Sequence, residues 1–185
     1  FTKLERFDTE EVINGIQTPK LFELLDLVDW KDIADGIPVR FHGDLHFENI
    51  LINKKGDAPF TLLDWRQDFG GMMEYGDIYY DFAKLNHGFI MSHQIVDQNL
   101  FSVNTDLDQI NFDFHRKQNL IDCEQYFEEW ILNNGYDIGK VKLMTALIFL
   151  NIAALHHYPY NKLLFYLGKT MLNNHRLTIF FYLKI

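Results

Sequence analysis

Two short apolar runs, Ile50-Leu51-Ile52 and Phe60-Thr61-Leu62-Leu63, flank the turn cluster Asn53-Lys54-Lys55-Gly56-Asp57, so residues 49–64 read as a β-hairpin. What borders the hairpin makes it constraining. The string Phe41-His42-Gly43-Asp44-Leu45-His46-Phe47-Glu48-Asn49 leads into it, and Asp64-Trp65 follows the second run. In a roughly symmetric hairpin centred between Gly56 and Asp57, Asn49 and Asp64 are equally far from the turn and emerge together at the open end. Asp64 ends an apolar strand, so its carboxylate has rigid support.

Helical signals surround this centre. The first 40 residues read as short helices, with Thr18-Pro19 as a cap and first-turn proline ahead of Leu21, Phe22, Leu24 and Leu25. Gly36-Ile37-Pro38 closes that region and Gly70-Gly71 breaks the chain again. Asp77 is placed to cap a helix whose stripe is Ile78, Phe82, Ala83 and Leu85. Beyond Asn104 the pattern predicts helices over 112–120, 123–133, 140–156 and 161–172. The expected fold class is α+β, mainly helical, with its few strands confined to the middle.

Composition removes several functions. A net charge of -9 leaves no basic face for a nucleic acid. One cysteine, Cys123, allows no internal disulfide, and no apolar run is long enough for a signal peptide or a membrane span, which points to a cytoplasmic location. With 48% hydrophobic residues and 16% aromatics, the chain has ample material for a core. His156-His157 reads as a helix-end pair, because adjacent helical residues diverge by about 100°. Tyr158, Tyr160, Phe165 and Tyr166 read as core packing, with a cage for a quaternary ammonium as the rival.

Asp44 precedes Asn49 by five positions, the offset of a kinase catalytic loop. Phosphoryl transfer needs a carboxylate for the acceptor's proton and oxygen ligands for magnesium. Asp44 suits the first task; Asn49 and Asp64 suit the second. The string HGDLHxxNIL, the strand ending in Asp64-Trp65, and the later GDxxxDxAKL resemble the aminoglycoside phosphotransferase and choline kinase family over about residues 38–88. The resemblance implies a protein-kinase-like C-terminal lobe in which Asp44 is the catalytic base and Asn49 and Asp64 hold Mg2+ and, through it, ATP. It further implies that His42 and His46 order the loop and that Asp81 is a helix aspartate bonding the loop's backbone.

On that basis residues 1–185 are expected to form one lobe: a helical lead-in (1–38), a catalytic core (39–88) and a helical substrate-side subdomain (89–185). No GxGxxG occurs, and no lysine stands in a strand ahead of the loop, so the nucleotide-gripping N-terminal lobe of the same enzyme is the expected partner. Without it, the chain is expected to be inactive alone. Two rivals stand beside this reading. One is a degenerate lobe acting as a binding module. The other is a two-metal phosphoesterase built on Asp44-Leu45-His46, Asp77 with Asp81, and Asn86-His87. The literal Asp68-Phe69-Gly70 is expected to be coincidental, lying in a mobile loop past the ladder. The acceptor is a small-molecule hydroxyl: a sugar, an amino alcohol or an aminoglycoside. The acidic balance favours cationic acceptors, while the Asp64-Trp65-Arg66-Gln67 variant resembles members tied to bacterial surface polysaccharides and implies a sugar-related one.

Overall fold

In the computed structural model, which describes residues 9–182, an asparagine–glycine turn opens the fold. Strand β1 (Glu11–Ile13) turns through Asn14 (φ 48°) and Gly15 (φ 81°) into β2 (Ile16–Thr18), with Ile13 opposite Ile16. Positive φ at both central residues is what a two-residue hairpin of matching twist demands. Residues 11–18 are therefore strands where the sequence reading expected helix. Thr18 ends β2, and Lys20 precedes the first helix, so Thr18-Pro19 is not its cap.

Two short helices follow, α1 (Leu21–Asp26) and α2 (Trp30–Ala34). Asp29 caps α2 by accepting from the N–H groups of Lys31 and Asp32. Strand β3 (Pro38–Val39) pairs antiparallel with β6 (Gly76–Asp77), and the bracketed segment carries the hairpin of β4 (Ile50–Ile52) and β5 (Phe60–Leu62). Asp77 caps α3 (Ile78–Ile90), as expected, by accepting from Tyr79 N. The short helix α4 (His93–Asp97) comes next.

The expectation of helix from 112 onward needs a second correction. Strands β7 (Phe101–Asp106) and β8 (Gln109–Phe114) form a hairpin through Leu107 and Asp108. Ile110, Phe112 and Phe114 alternate with polar residues, a period of two that only a strand can present to a core. β8 also pairs with β1 in parallel, giving one sheet of order β2-β1-β8-β7. Strands are thus not confined to the middle of the chain. The fold is nevertheless α+β with about half of the chain helical, finishing in α5 (Gln118–Asn133), α6 (Ile138–Ala153) and α7 (Tyr160–Tyr182).

The main core lies where α6 and α7 pack on each other and on α1, with Phe149, Leu150, Leu163 and Leu164 fully buried. Tyr160, Phe165 and Tyr166 belong to this core, so no cage forms around the exposed Tyr158. A second cluster, Tyr79, Phe89, Phe127, Ile131 and Val141, fixes α3 against α5 and α6. Both faces of α3 are therefore held before it reaches the loop at residues 41–49. Among the described residues, no helix is long and apolar enough to cross a membrane.

Candidate active site

One turn into α3, the buried Asp81 accepts the backbone N–H of His42 at 2.6 Å and that of Gly43 at 2.7 Å. Two charge-assisted bonds from one carboxylate clamp the start of the loop to a rigid helix. Gly43 adopts φ +79°, and a Cβ there would lie 2.7 Å from the Arg66 side chain and 2.8 Å from the Phe41 ring. Only glycine fits that turn. His42 is buried; its Nδ1 accepts from Asp44 N at 3.2 Å and its ring lies 5.0 Å from that of Trp65. The Arg66 N–H donates to His42 O at 2.9 Å, tying the exit of β5 to the same loop.

Those ties converge on Asp44. Lys84 Nζ lies 2.7 Å from Asp44 Oδ1, and Arg66 Nη2 lies 2.8 Å from Asp44 Oδ2. Burial raises the carboxyl's pKa, but the hydrogen bonds and charges of Lys84 and Arg66 outweigh it and hold Asp44 below its ordinary value. The neighbouring Tyr80 moves upward, first because it is buried and then because Asp44 is beside it, so its hydroxyl keeps its proton.

The rest of the loop is knitted to itself. The Asn49 side-chain amide donates to Asp44 O at 3.0 Å and to His46 Nε2 at 3.1 Å, which leaves His46 Nδ1 to donate to Glu48 Oε2 at 2.8 Å. Since the amide is planar, its oxygen is turned away from these partners. The hairpin register pairs Ile50 with Leu62, and Leu63 N donates to Asn49 O at 2.8 Å, so the turn is centred on Gly56. Leu63, not Asp64, is therefore opposite Asn49. Regular alternation would put Asp64 on the other face, but Asp64 stands past the end of β5 with φ 55°, outside the strand conformation on which that alternation depends. Among the described residues no three His, Cys, Asp or Glu side chains are grouped to hold a metal. Mg2+ held by Asn49 and Asp64 would rest on two protein oxygens and complete its shell with phosphates and water, its habitual pattern.

A cavity of about 650 Å³ opens above Asp44. Its lining takes Phe41, Gly43, Asp44, Arg66, Asp68, Phe69, Tyr80 and Lys84 from the loop segments and α3, together with Trp30 and Ile33 of α2, Met144, Leu147, Ile148, Asn151 and Ile152 of α6, and Leu155 just beyond it. The buried Lys140 fixes α2 there, donating to Asp32 O and, at 2.7 Å, to Asp35 O. Asp68 thus stands on the wall of the cavity that holds Asp44, and Asp64 is not part of that wall. The segment after Asp68 is also better anchored than a mobile loop. Asp68 accepts from Gly71 N, Phe69 bridges to Met72, and the Phe69 ring packs edge-on against Phe41 and Tyr80.

The sequence reading missed Arg66, Tyr80 and Lys84 as site residues. Lys84 had a signal: it follows Asp81 by three positions and so shares its helix face. Two residues of the rival phosphoesterase motif, Asp77 and His87, have other partners. Asp77 accepts from Ile37 N and Tyr79 N, and the half-buried His87 has its ring nitrogens shut from solvent and its ring 4.7 Å from that of Phe149. The family model of the phosphotransferase enzyme family, APH, matches residues 3–96, half of the chain. No curated protein and no solved structure matches the chain.

Proposed function

Because the chain belongs to the phosphotransferase enzyme family, we propose that it serves an ATP- and Mg2+-dependent transfer of the γ-phosphoryl group to a hydroxyl of a small molecule. One observation carries the reading: Asp44, held ionised between Lys84 and Arg66, faces a cavity large enough for such an acceptor. Mg2+ bound with ATP would neutralise phosphate charge, and Asn49 and Asp64 are the residues that would hold it. Asp44 accepts a hydrogen bond from the acceptor hydroxyl and orients its oxygen on the phosphorus. As the new O–P bond forms, the proton passes to Asp44, and the bond from phosphorus to the ADP oxygen breaks. A depressed pKa makes Asp44 a weak base. That costs little in a loose transition state, where the proton leaves late.

Protonation of Asp44 also frees Lys84 and Arg66 from their counter-ion. Their charges then act on the negative charge of the transferring group. Beside the cleft, the hairpin leaves Leu51, Ile52, Phe60, Leu63 and Trp65 exposed, with Ile52 at 75%. The nucleotide-gripping lobe expected of this enzyme type would cover that face. The test is product analysis of the full-length enzyme with ATP and Mg2+. ADP and a phosphorylated alcohol should appear in equal amounts, whereas nucleotide-independent hydrolysis of phosphate esters would overturn the reading.

A further inference from the structure

The cavity above Asp44 is divided by chemistry. Every charged group on its wall comes from the loop segments and α3, which supply two acids, Asp44 and Asp68, and two bases, Arg66 and Lys84. Both bases are already paired to Asp44, and Asp68 is partly satisfied by Gly71 N. No carboxylate is left over in a cluster to receive several ammonium groups. The part contributed by α2 and by α6, with Leu155 beyond it, carries no charge at all. Seven of its residues are apolar or aromatic, and Asn151 is the single amide among them.

Apolar surface of this kind is held in water at a cost that a matching ligand removes. Leu155 is 77% exposed and Trp30 is 47% exposed, although both belong to the cavity wall. A polycation would lose hydration against this wall without gaining a counter-charge. A free sugar would leave most of its hydroxyls facing hydrocarbon. An alcohol attached to an apolar body suits both halves, with its hydroxyl at Asp44 and its body between α2 and α6.

We infer that the acceptor is an uncharged alcohol borne on an apolar body, selected by the wall of Trp30, Ile33, Leu147, Ile152 and Leu155. The inference rests on the phosphotransferase reading for the identity of the cavity, but its test does not require transfer. The acidic balance of the whole chain, which favours cationic acceptors, is thereby set aside in favour of the local balance at the site.

Binding to the chain is measured by calorimetry and ligand-observed NMR for a matched pair, glucose and hexyl glucoside, together with choline and the aminoglycoside kanamycin. Hexyl glucoside should bind at least about tenfold more tightly than glucose and more tightly than either cation. Leu155→Glu, at a position already exposed, should reduce that preference by about fivefold or more. Leu107→Glu, on the far β7–β8 turn, should leave it unchanged. Equal affinity for glucose and hexyl glucoside, tighter binding of choline or kanamycin, or an unaltered preference in Leu155→Glu would each overturn the inference. If hexyl glucoside binds with this preference but the full-length enzyme with ATP and Mg2+ gives no phosphorylated alcohol, the apolar selection stands and the transfer reading fails.

Discussion

The ammonium of Lys84 lies 2.7 Å from Asp44 Oδ1, and it projects from α3 three residues after Asp81, whose carboxylate clamps His42 N and Gly43 N. One helix face thus supplies an anion that shapes the loop and a cation that sets the charge of its central carboxylate. Because the second core cluster packs α3 against α5 and α6, the two contacts share one rigid support. The stability of the fold and the electrostatics of the site are coupled through that helix.

Removing the cation should therefore move the pH dependence of turnover. Asp44 must be ionised to accept a proton, so activity is lost as pH falls through its pKa. Lys84 lowers that pKa, so Lys84→Met should shift the acid limb of kcat/KM to higher pH, and Lys84→Arg should restore part of the shift. A profile with an unmoved acid limb would show that Lys84 does not tune Asp44.

Asp44→Asn in the full-length enzyme should lower turnover by roughly a hundredfold or more while leaving nucleotide binding intact. The amide is nearly isosteric and still accepts from Lys84, but it cannot take the proton. Steady-state rates and ATP affinity, measured side by side, separate the two effects. Near wild-type turnover would remove Asp44 from the chemistry.

Asp64 and Asp68 should differ in what they change. Asp64→Ala should abolish Mg2+-dependent nucleotide binding in the full-length enzyme. Asp68→Ala, which alters the wall of the Asp44 cavity, should act mainly on KM for the acceptor. Titration of ATP with and without Mg2+ checks the first, and acceptor kinetics check the second. Loss of metal-dependent binding in Asp68→Ala alone would reverse the assignment.

The centre of the site was legible because its signals are local. Glycine and aspartate in fixed order, an apolar run and a turn cluster are all visible within a few dozen residues. The hairpin formed as expected, but its register is displaced by one residue, since the seven-residue connection from Asn53 to Pro59 closes through Asn53 N to Pro59 O. Composition of the turn cannot reveal that. Two hairpins were missed for different reasons. Asn14-Gly15, flanked by the β-branched Val12, Ile13, Ile16 and Thr18, is a strong hairpin signal in the sequence, passed over in favour of helix. The β7–β8 turn carries instead a leucine at φ 52°, Leu107, a residue that gives no sign of a turn. Parallel pairing of β1 with β8 joins residues almost a hundred positions apart, and the ion pairs of Asp44 span twenty-two and forty. Long-range geometry of this kind leaves no periodicity to read.

Acid should weaken the fold through His87. Its ring nitrogens are shut from solvent, with neither hydrogen-bonded among the described residues. Burial first, then the nearby charges of Lys84, His46 and His93, push its pKa from 6.5 down to about 3, with Asp44 opposing. The unfolded chain takes up the proton below its ordinary pKa while the folded ring stays neutral. Stability is thus unaffected above pH 6.5 and falls as pH drops from there toward 3, by a few kcal/mol in all. His156 and His175 are lowered too, so the variant His87→Gln isolates this ring. Urea midpoints at about pH 7 and about pH 5 should differ clearly in the wild type and by less in His87→Gln. Parallel declines would show that the ring is open to protons in the folded state.

The last prediction concerns the bond that joins the end of the fold to its beginning. Lys169 on α7 has no exposed side-chain surface, and its Nζ lies 2.7 Å from Glu11 Oε2 and 2.6 Å from Thr9 O. Glu11 lies on β1, and its other oxygen accepts from Thr9 Oγ1 at 3.0 Å. An ion pair withdrawn from water gains little over a well-packed apolar pair, because each charge has lost its hydration. Breaking one side is different, since the remaining charge stays buried without a partner. Lys169→Met should therefore destabilise the fold by about 3–5 kcal/mol, although methionine fills similar space. Adding Glu11→Leu removes the stranded carboxylate. The double variant should then recover a large part of the loss, despite carrying one substitution more. A double-mutant cycle on urea midpoints measures the difference. If the double variant is less stable than Lys169→Met, packing around α7, and not the uncompensated charge, governs this contact.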